Sequence, residues 1–334
     1  MAFDQNSWYG AAMLHAIHSA IGWTFWNVFV VFNSSDTDEG NYQHMQDLFP
    51  TDSDWRLRFF TSLSDAYDAT ESNNNDIILI DWNSTHTLTA ELNVSKNRVH
   101  FMWLDYLMWI HRKQWQSSKI NLWVTTDTWD VCAILNTWVR NSFRGLKITN
   151  SNTLTQALYA FWDWWEYTYM EDCEVAYLAK LTTATVADLV ANGDSSHYKN
   201  CAFWSTVNAI TANWARPNVL ISRETFTWKV ARDVRFENCD FLYKCWDTDN
   251  RFVYWSWTTD VERLMKFDNC LFYNSLLAAQ TMTLWMAMWN QTEWSVILKN
   301  CAAYKTTDFA TATGIFYSCW PAQVNNGIEV VQAA

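Results

Sequence analysis

Five times in its second half the chain returns to one short phrase. It reads Tyr169-Met170-Glu171-Asp172-Cys173, Tyr198-Lys199-Asn200-Cys201, Phe236-Glu237-Asn238-Cys239, Phe267-Asp268-Asn269-Cys270 and Leu298-Lys299-Asn300-Cys301. The frame is apolar, charged, Asn or Asp, Cys. The cysteines stand 28, 38, 31 and 31 residues apart. A fixed frame at this period marks a solenoid, in which each unit stacks on the one before. Each unit reads as a short alternating strand. In an unbroken strand the apolar residue and the cysteine, three positions apart, would face opposite ways. A bend at the Asn turns both inward, and Asn tolerates the left-handed conformation that bend needs. Stacked Asn side chains can then hydrogen-bond from coil to coil, and the cysteines become small buried hydrophobes. A reactive or metal-binding thiol column is not expected, since nothing basic recurs beside it to stabilise a thiolate. The uneven spacing predicts loops of different length leaving a regular stack. Upstream, Leu146-Lys147-Ile148-Thr149-Asn150 reads as the same element with Ser151 in the cysteine's place. Ile120-Asn121-Leu122 and Arg98-Val99-His100-Phe101 read as earlier rungs.

The front of the stack is also readable. Ser62 and Asp65 have capping-box spacing, and Leu63, Ala66 and Tyr67 share one face, so a helix is expected over Ser62–Ala69. Asn73-Asn74-Asn75 then turns into the apolar run Ile77 to Ile80, a buried strand, followed by a short strand from Thr85 to Thr89. A helix at this place covers the open end of a stack, which would otherwise be an aggregating edge.

These features resemble the pectin-lyase-like right-handed parallel β-helix superfamily over residues 56 to about 320. The resemblance rests on the cap helix, the Ile77–Ile80 strand with its Asp81-Trp82 turn, and the Asn-Cys rungs. It implies an all-β fold: a right-handed parallel β-helix with an N-terminal cap helix and an N-terminal arm. The expected division is an arm or assembly segment at 1–55, the β-helix at 56–320 and a tail at 321–334. The stretch from Asn27-Val28-Phe29-Val30-Val31-Phe32-Asn33 to Leu48-Phe49-Pro50, with the acidic, Asn- and Thr-rich style of the chain, more distantly resembles structural proteins of tailed bacteriophages.

The turns carry an anomaly. The chain has 24 Trp and only 7 Gly, where Gly alone supplies about 7% of an ordinary chain. Trp82, Trp164, Trp165, Trp246, Trp255 and Trp257 stand in turn contexts, where Gly supplies positive φ without steric cost. The codon UGA lies one base from a Trp codon and one from a Gly codon. A genome that reads UGA as Gly would place glycine at most of these positions, and a phage of such a host would account for both features. A Trp-rich glycan binder is the alternative.

Charge narrows the partners. The formal net charge is −12, and the first 55 residues contain no Lys or Arg. An acidic surface disfavours nucleic acid and anionic membrane. Residues 5 to 35 carry no formal charge but include His15, His18, Ser19, Thr24 and Asn27, so a membrane span is not expected. They read instead as a short helix (Ala11 to Ala20) and a buried strand (Val28 to Phe32). No basic segment precedes them, so no secretory signal is expected. Eight cysteines without a Cys-x-x-Cys pair fit neither a disulfide scaffold nor structural zinc.

Lyases on the resembled fold use Ca²⁺-binding carboxylates with an Arg or Lys base, and glycosidases use paired carboxylates. Asp233 and Arg235, with Asp260, Glu262 and Arg263, are the scattered candidates here, and they read as a solvated outer face. Asp36-Thr37-Asp38-Glu39-Gly40 with Asp47 has its Gly and its twelfth residue wrong for an EF-hand. His15 and His18 read as a satisfied or exposed pair rather than metal ligands. No catalytic, cofactor-binding or metal-binding residue is assigned, and no cofactor is expected. The expectation is a non-catalytic structural subunit of a phage particle or similar surface assembly, in a virion or extracellular setting. It would be homo-oligomeric or bound to other virion proteins, with residues 1–55 making the inter-subunit contacts. The alternatives are a tailspike-type polysaccharide depolymerase and, if the Trp are genuine, a carbohydrate-binding module with a glycan partner.

Overall fold

The computed structural model describes residues 27–33, 47, 58–81, 85–104, 118–123, 132–152, 157–178, 186–210, 216–221, 231–245, 251–255, 261–275, 282–287, 295–304, 306–311 and 315–319. Within them the chain visits three parallel sheets in turn. The first sheet has eleven strands, and the second and third have eight each. One cycle runs from Tyr169–Glu171 in the first sheet to Glu174–Tyr177 in the second and Ala187–Ala191 in the third, then returns to the first at His197–Lys199. This is a right-handed parallel β-helix.

The repeat works as the sequence demands. Asp172, Asn200, Asn238, Asn269 and Asn300 all have φ between 52° and 56°. They form one left-handed column at the corner between the first and second sheets. Asn238 Nδ2 donates to Asn200 Oδ1 at 3.2 Å, and Asn269 Nδ2 donates to Asn238 Oδ1 at 2.6 Å. The bend carries the next residue inward. Cys173, Cys201, Cys239 and Cys270 are buried and Cys301 partly so, all as free thiols. Each thiol donates to carbonyls on its own rung and the one before, as Cys201 does to Lys199 and Met170.

One rung is shifted from its expected place. Lys147 pairs with Glu174, so Leu146, not Ser151, occupies the cysteine position, and Gly145 (φ 64°) takes the Asn position. Ile120 pairs with Ile148 in the second sheet. Phe101 pairs with Phe143 in the first, in the expected frame.

Rings fill the interior because in-register parallel strands lie about 4.8 Å apart, a stacking distance. Phe101 and Phe143 stack at 5.0 Å, Phe236 and Phe267 at 4.8 Å, and Phe241 and Phe272 at 4.5 Å.

The cap helix α1 spans Leu63–Ala69, with Ser62 as N-cap accepting from the Asp65 N–H and with Leu63, Ala66 and Tyr67 buried. Its C-terminal carbonyls find a partner the sequence does not reveal. Lys96 Nζ donates to the carbonyls of Tyr67, Asp68 and Thr70 at 2.8–2.9 Å and lies 4.8 Å over the Tyr67 ring. A cation suits the negative end of the helix dipole.

Val28–Val31 is a buried strand, as expected, but it does not belong to an arm apart from the solenoid. It pairs in parallel with Ile77–Ile80 on one side and Phe59–Phe60 on the other. Phe59–Phe60 forms the edge of this sheet, so Val28–Val31 lies within the stack and the body covers its four apolar side chains. The rest of residues 1–55, apart from Asn27, Phe32, Asn33 and Asp47, lies outside the described residues, as do residues 321–334.

The tryptophans depart from expectation. None of the described ones has positive φ; those positions go to Asn, Asp, Arg, Ser, Tyr and Gly145. Trp103, Trp162 and Trp255 are buried, and Trp123 and Trp138 are exposed. Trp165 and Trp138 do stand in register with Gly193, one and two rungs before it. A Cβ at Gly193 would come within 2.5 Å of Asp163 Oδ2 and Ser196 Oγ, so that rung accepts only Gly. Trp82, Trp246 and Trp257 lie outside the described residues.

Candidate functional site

The two edges of the first sheet differ in a way that points outward. At the edge after each strand, the left-handed residues are Gly, Asp and Asn, types that tolerate the conformation. At the edge before each strand, they are Asn75 (φ 54°), Arg98 (57°), Arg140 (63°), Tyr167 (57°) and Ser195 (55°), with Asp233 (52°) in register with them at an irregularity within the strand Ala231–Glu237. Left-handed backbone costs an ordinary L-residue roughly 1–2 kcal/mol. The cost falls on Arg98, Arg140, Tyr167 and Ser195 at four successive rungs, and backbone strain of this kind clusters at ligand-binding sites.

A cleft of about 430 Å³ opens beside that edge, lined by His100, Arg140, Asn141, Ser142, Arg144, Tyr167 and Tyr169. None of these is Trp, so the site is the same whether or not the Trp positions are glycine. Alternation along the strands places the lining. Phe143 and Met170 point into the core, so Ser142, Arg144, Tyr169 and Glu171 face out. Register then lines up His100, Ser142, Tyr169, His197 and Arg235 in one column, with Arg144, Glu171, Lys199 and Glu237 beside it.

Charge is unevenly matched here. Arg140 lies over the Tyr167 ring and Arg144 over Tyr169, at 5.7 and 5.0 Å. Arg144 Nε reaches Glu171 at 3.5 Å, while its buried Nη1 has no hydrogen-bond partner. Glu171 also takes Lys199 at 2.8 Å. Burial pushes the Glu171 pKa up, but Lys199, Tyr169 and Arg144 outweigh it and hold the carboxyl below its usual range. Burial, then the charge of Arg144 and Arg98, pulls His100 down to about 3. It is therefore a neutral imidazole, 2.8 Å from Ser142 Oγ through Nδ1. Burial and then Glu171 raise the Tyr169 pKa, keeping the phenol a donor. The cleft thus offers two guanidiniums, two phenol rings and neutral hydroxyl and imidazole groups. These suit a carboxylate on an amphipathic ring.

No family model matches this chain, and no curated protein matches it. Solved structures do. A pectin methylesterase from Aspergillus niger is 11% identical, with 92% of this chain and 93% of that one covered, at a TM-score of 0.51. A rhamnogalacturonan lyase is 11% identical, with 91% and 75% covered, at a TM-score of 0.51. The fold is the pectin-lyase-like parallel β-helix. At these identities the likeness is one of β-helix architecture.

The candidates read from the sequence fall partly on this face. Asp233 sits on the strained edge, and Arg235 faces out from the same strand, 2.7 Å from Glu237. Glu262 and Arg263 are on the neighbouring strand Val261–Asp268, with Glu262 paired to Arg232. Asp260, His15, His18 and the Asp36–Gly40 loop lie outside the described residues. Among the described residues no group of three or more His, Cys, Asp or Glu is placed to hold a metal ion. The lining residues were missed because Arg and Tyr do not look like turn residues. Writing the rungs in register would have shown them at one fixed distance before each bend.

Proposed function

We propose that this protein binds an acidic glycan on the outward face of the first sheet and does not cleave it. The observation that carries this reading is the cleft in which Arg140, with no carboxylate partner among the described residues, and Arg144 lie over the rings of Tyr167 and Tyr169. A sugar carboxylate completes that donor set, and the rings of Tyr167 and Tyr169 take the apolar face of the sugar. The carbohydrate-active names of the structural neighbours support a glycan as the ligand class, by analogy of fold. Binding without turnover fits the titratable groups. His100 stays neutral, and Glu171 stays ionised between two cations, so neither is poised for proton transfer near pH 7.

Arg140→Asn separates function from fold. Calorimetry with uronate-containing hexasaccharides should show binding weakened about 30-fold, the loss of a charge-assisted contact of ~2 kcal/mol. The same variant should gain about 1 kcal/mol in stability, because Asn tolerates φ 63° better than Arg. Wild-type affinity in this variant would sink the reading. A second reading, a virion or surface-assembly subunit, draws on the outward column Trp204, Leu242 and Tyr273 of the second sheet. A high-mass oligomer in solution that binds none of these sugars would favour it.

A further inference from the structure

We infer that the glycan carries isolated rather than consecutive anionic groups: one acidic sugar at the Arg98, Arg140 and Arg144 end, and neutral sugars along the rungs that follow. This rests on the glycan-binding reading above and specifies its ligand.

The charge pattern of the face supplies the reason. Among the described residues, neither Arg98 nor Arg140 is paired with a carboxylate, and Arg144 has one partner with a guanidinium nitrogen to spare. From Glu171 onward, Lys199, Arg235, Lys266 and Lys299 each have a carboxylate partner on the protein itself. Lys199 meets Glu171 at 2.8 Å. Arg235 meets Glu237 at 2.7 Å, and the His197 ring, whose pKa burial pulls down, hydrogen-bonds the same carboxylate at 3.1 Å. Lys266 and Lys299 meet Asp268 at 3.1 and 3.4 Å. Those two lysines hold the Asp268 carboxyl below its usual range although burial pushes it up.

The rim repeats the asymmetry, running Asn75, Arg98, Arg140, Tyr167, Ser195, Asp233 over six successive rungs. Rungs lie about 4.8 Å apart, so a chain laid along the stack reaches this matched region within a few sugars. A carboxylate there must either face Glu237 and Asp268 or displace them from their cations. Both are unfavourable, and like charges brought together discriminate strongly against the wrong partner. Hydroxyl groups meet no such conflict, since the paired side chains still accept and donate hydrogen bonds. The cation-rich end attracts an anion, and the matched rungs reject a second one.

Three hexasaccharides titrated calorimetrically into the full chain test this: a neutral glucan, an oligogalacturonide with a carboxylate on every sugar, and the same neutral glucan carrying a single terminal glucuronate. The singly charged probe should bind at least ~10-fold tighter than either other probe. In the Glu237→Gln, Asp268→Asn double variant the oligogalacturonide should recover most of its deficit. Oligogalacturonide binding as tight as or tighter than the singly charged probe would overturn this inference and leave acidic-glycan binding standing. Tightest binding by the neutral glucan, or no binding by any probe, would overturn both.

Discussion

Asp188→Asn is expected to remove a pH dependence worth roughly 4 kcal/mol of stability. The Asp188 carboxyl is buried where the second and third sheets meet. Its Oδ1 accepts the Tyr177 N–H at 2.7 Å, and its Oδ2 accepts Asn218 Nδ2 at 2.7 Å. Burial pushes its pKa from 3.8 up to about 7, against those hydrogen bonds and the charge of Arg216. The folded chain therefore keeps a proton that the unfolded chain releases above pH ~4. The contribution is complete below the unfolded pKa, is lost as pH rises toward 7, and changes no further above it. Three pKa units correspond to about 4 kcal/mol. An amide does not ionise, so the variant lacks this slope. Facing the Asn218 amide costs the variant an amount that is the same at every pH. Urea midpoints measured from pH 4 to 8 should show the wild type losing ground to the variant by that amount. Parallel pH profiles would show that Asp188 is ionised in the folded state.

Phe236→Ala should cost about 4 kcal/mol, the range for a large ring removed from a packed core. The Phe236 ring is fully buried. It stacks on Tyr198 and on Phe267, both at 4.8 Å, and meets Phe241 edge-on at 5.6 Å. In a stack where each rung contacts only its neighbours, the loss is felt on both sides. Tyr273→Ala, an exposed position, should stay within about 0.5 kcal/mol. Chemical denaturation compares the two. Equal effects would mean that the interior rings do not hold the stack together.

The Asn and Cys columns were legible in the sequence because the same steric requirement recurs at every rung. Only Gly, Asn and Asp take the left-handed bend cheaply, so they mark it. The helix start was legible for a similar reason, as Ser62 and Asp65 act within one turn. The place of Val28–Val31 was not. Its apolar character is local, but its partners Ile77–Ile80 lie some fifty residues on, and nothing in either segment states the pairing. Lys96 capping α1 is a contact of the same long-range kind. The Leu146 rung was misplaced because Gly145 replaces the Asn that elsewhere signals the bend. The cleft was hidden more deeply. Arg98, Arg140 and Tyr167 occupy a turn conformation that their residue types disfavour, so reasoning from turn preferences passes over them.

A crystal structure with a uronate-containing oligosaccharide tests the central claim most directly. A sugar carboxylate is expected within hydrogen-bonding distance of the Arg140 guanidinium, with the sugar ring against Tyr169 and the chain running across the strands of the first sheet. A sugar seated on another face, or a cleft left empty at saturating ligand, would contradict it.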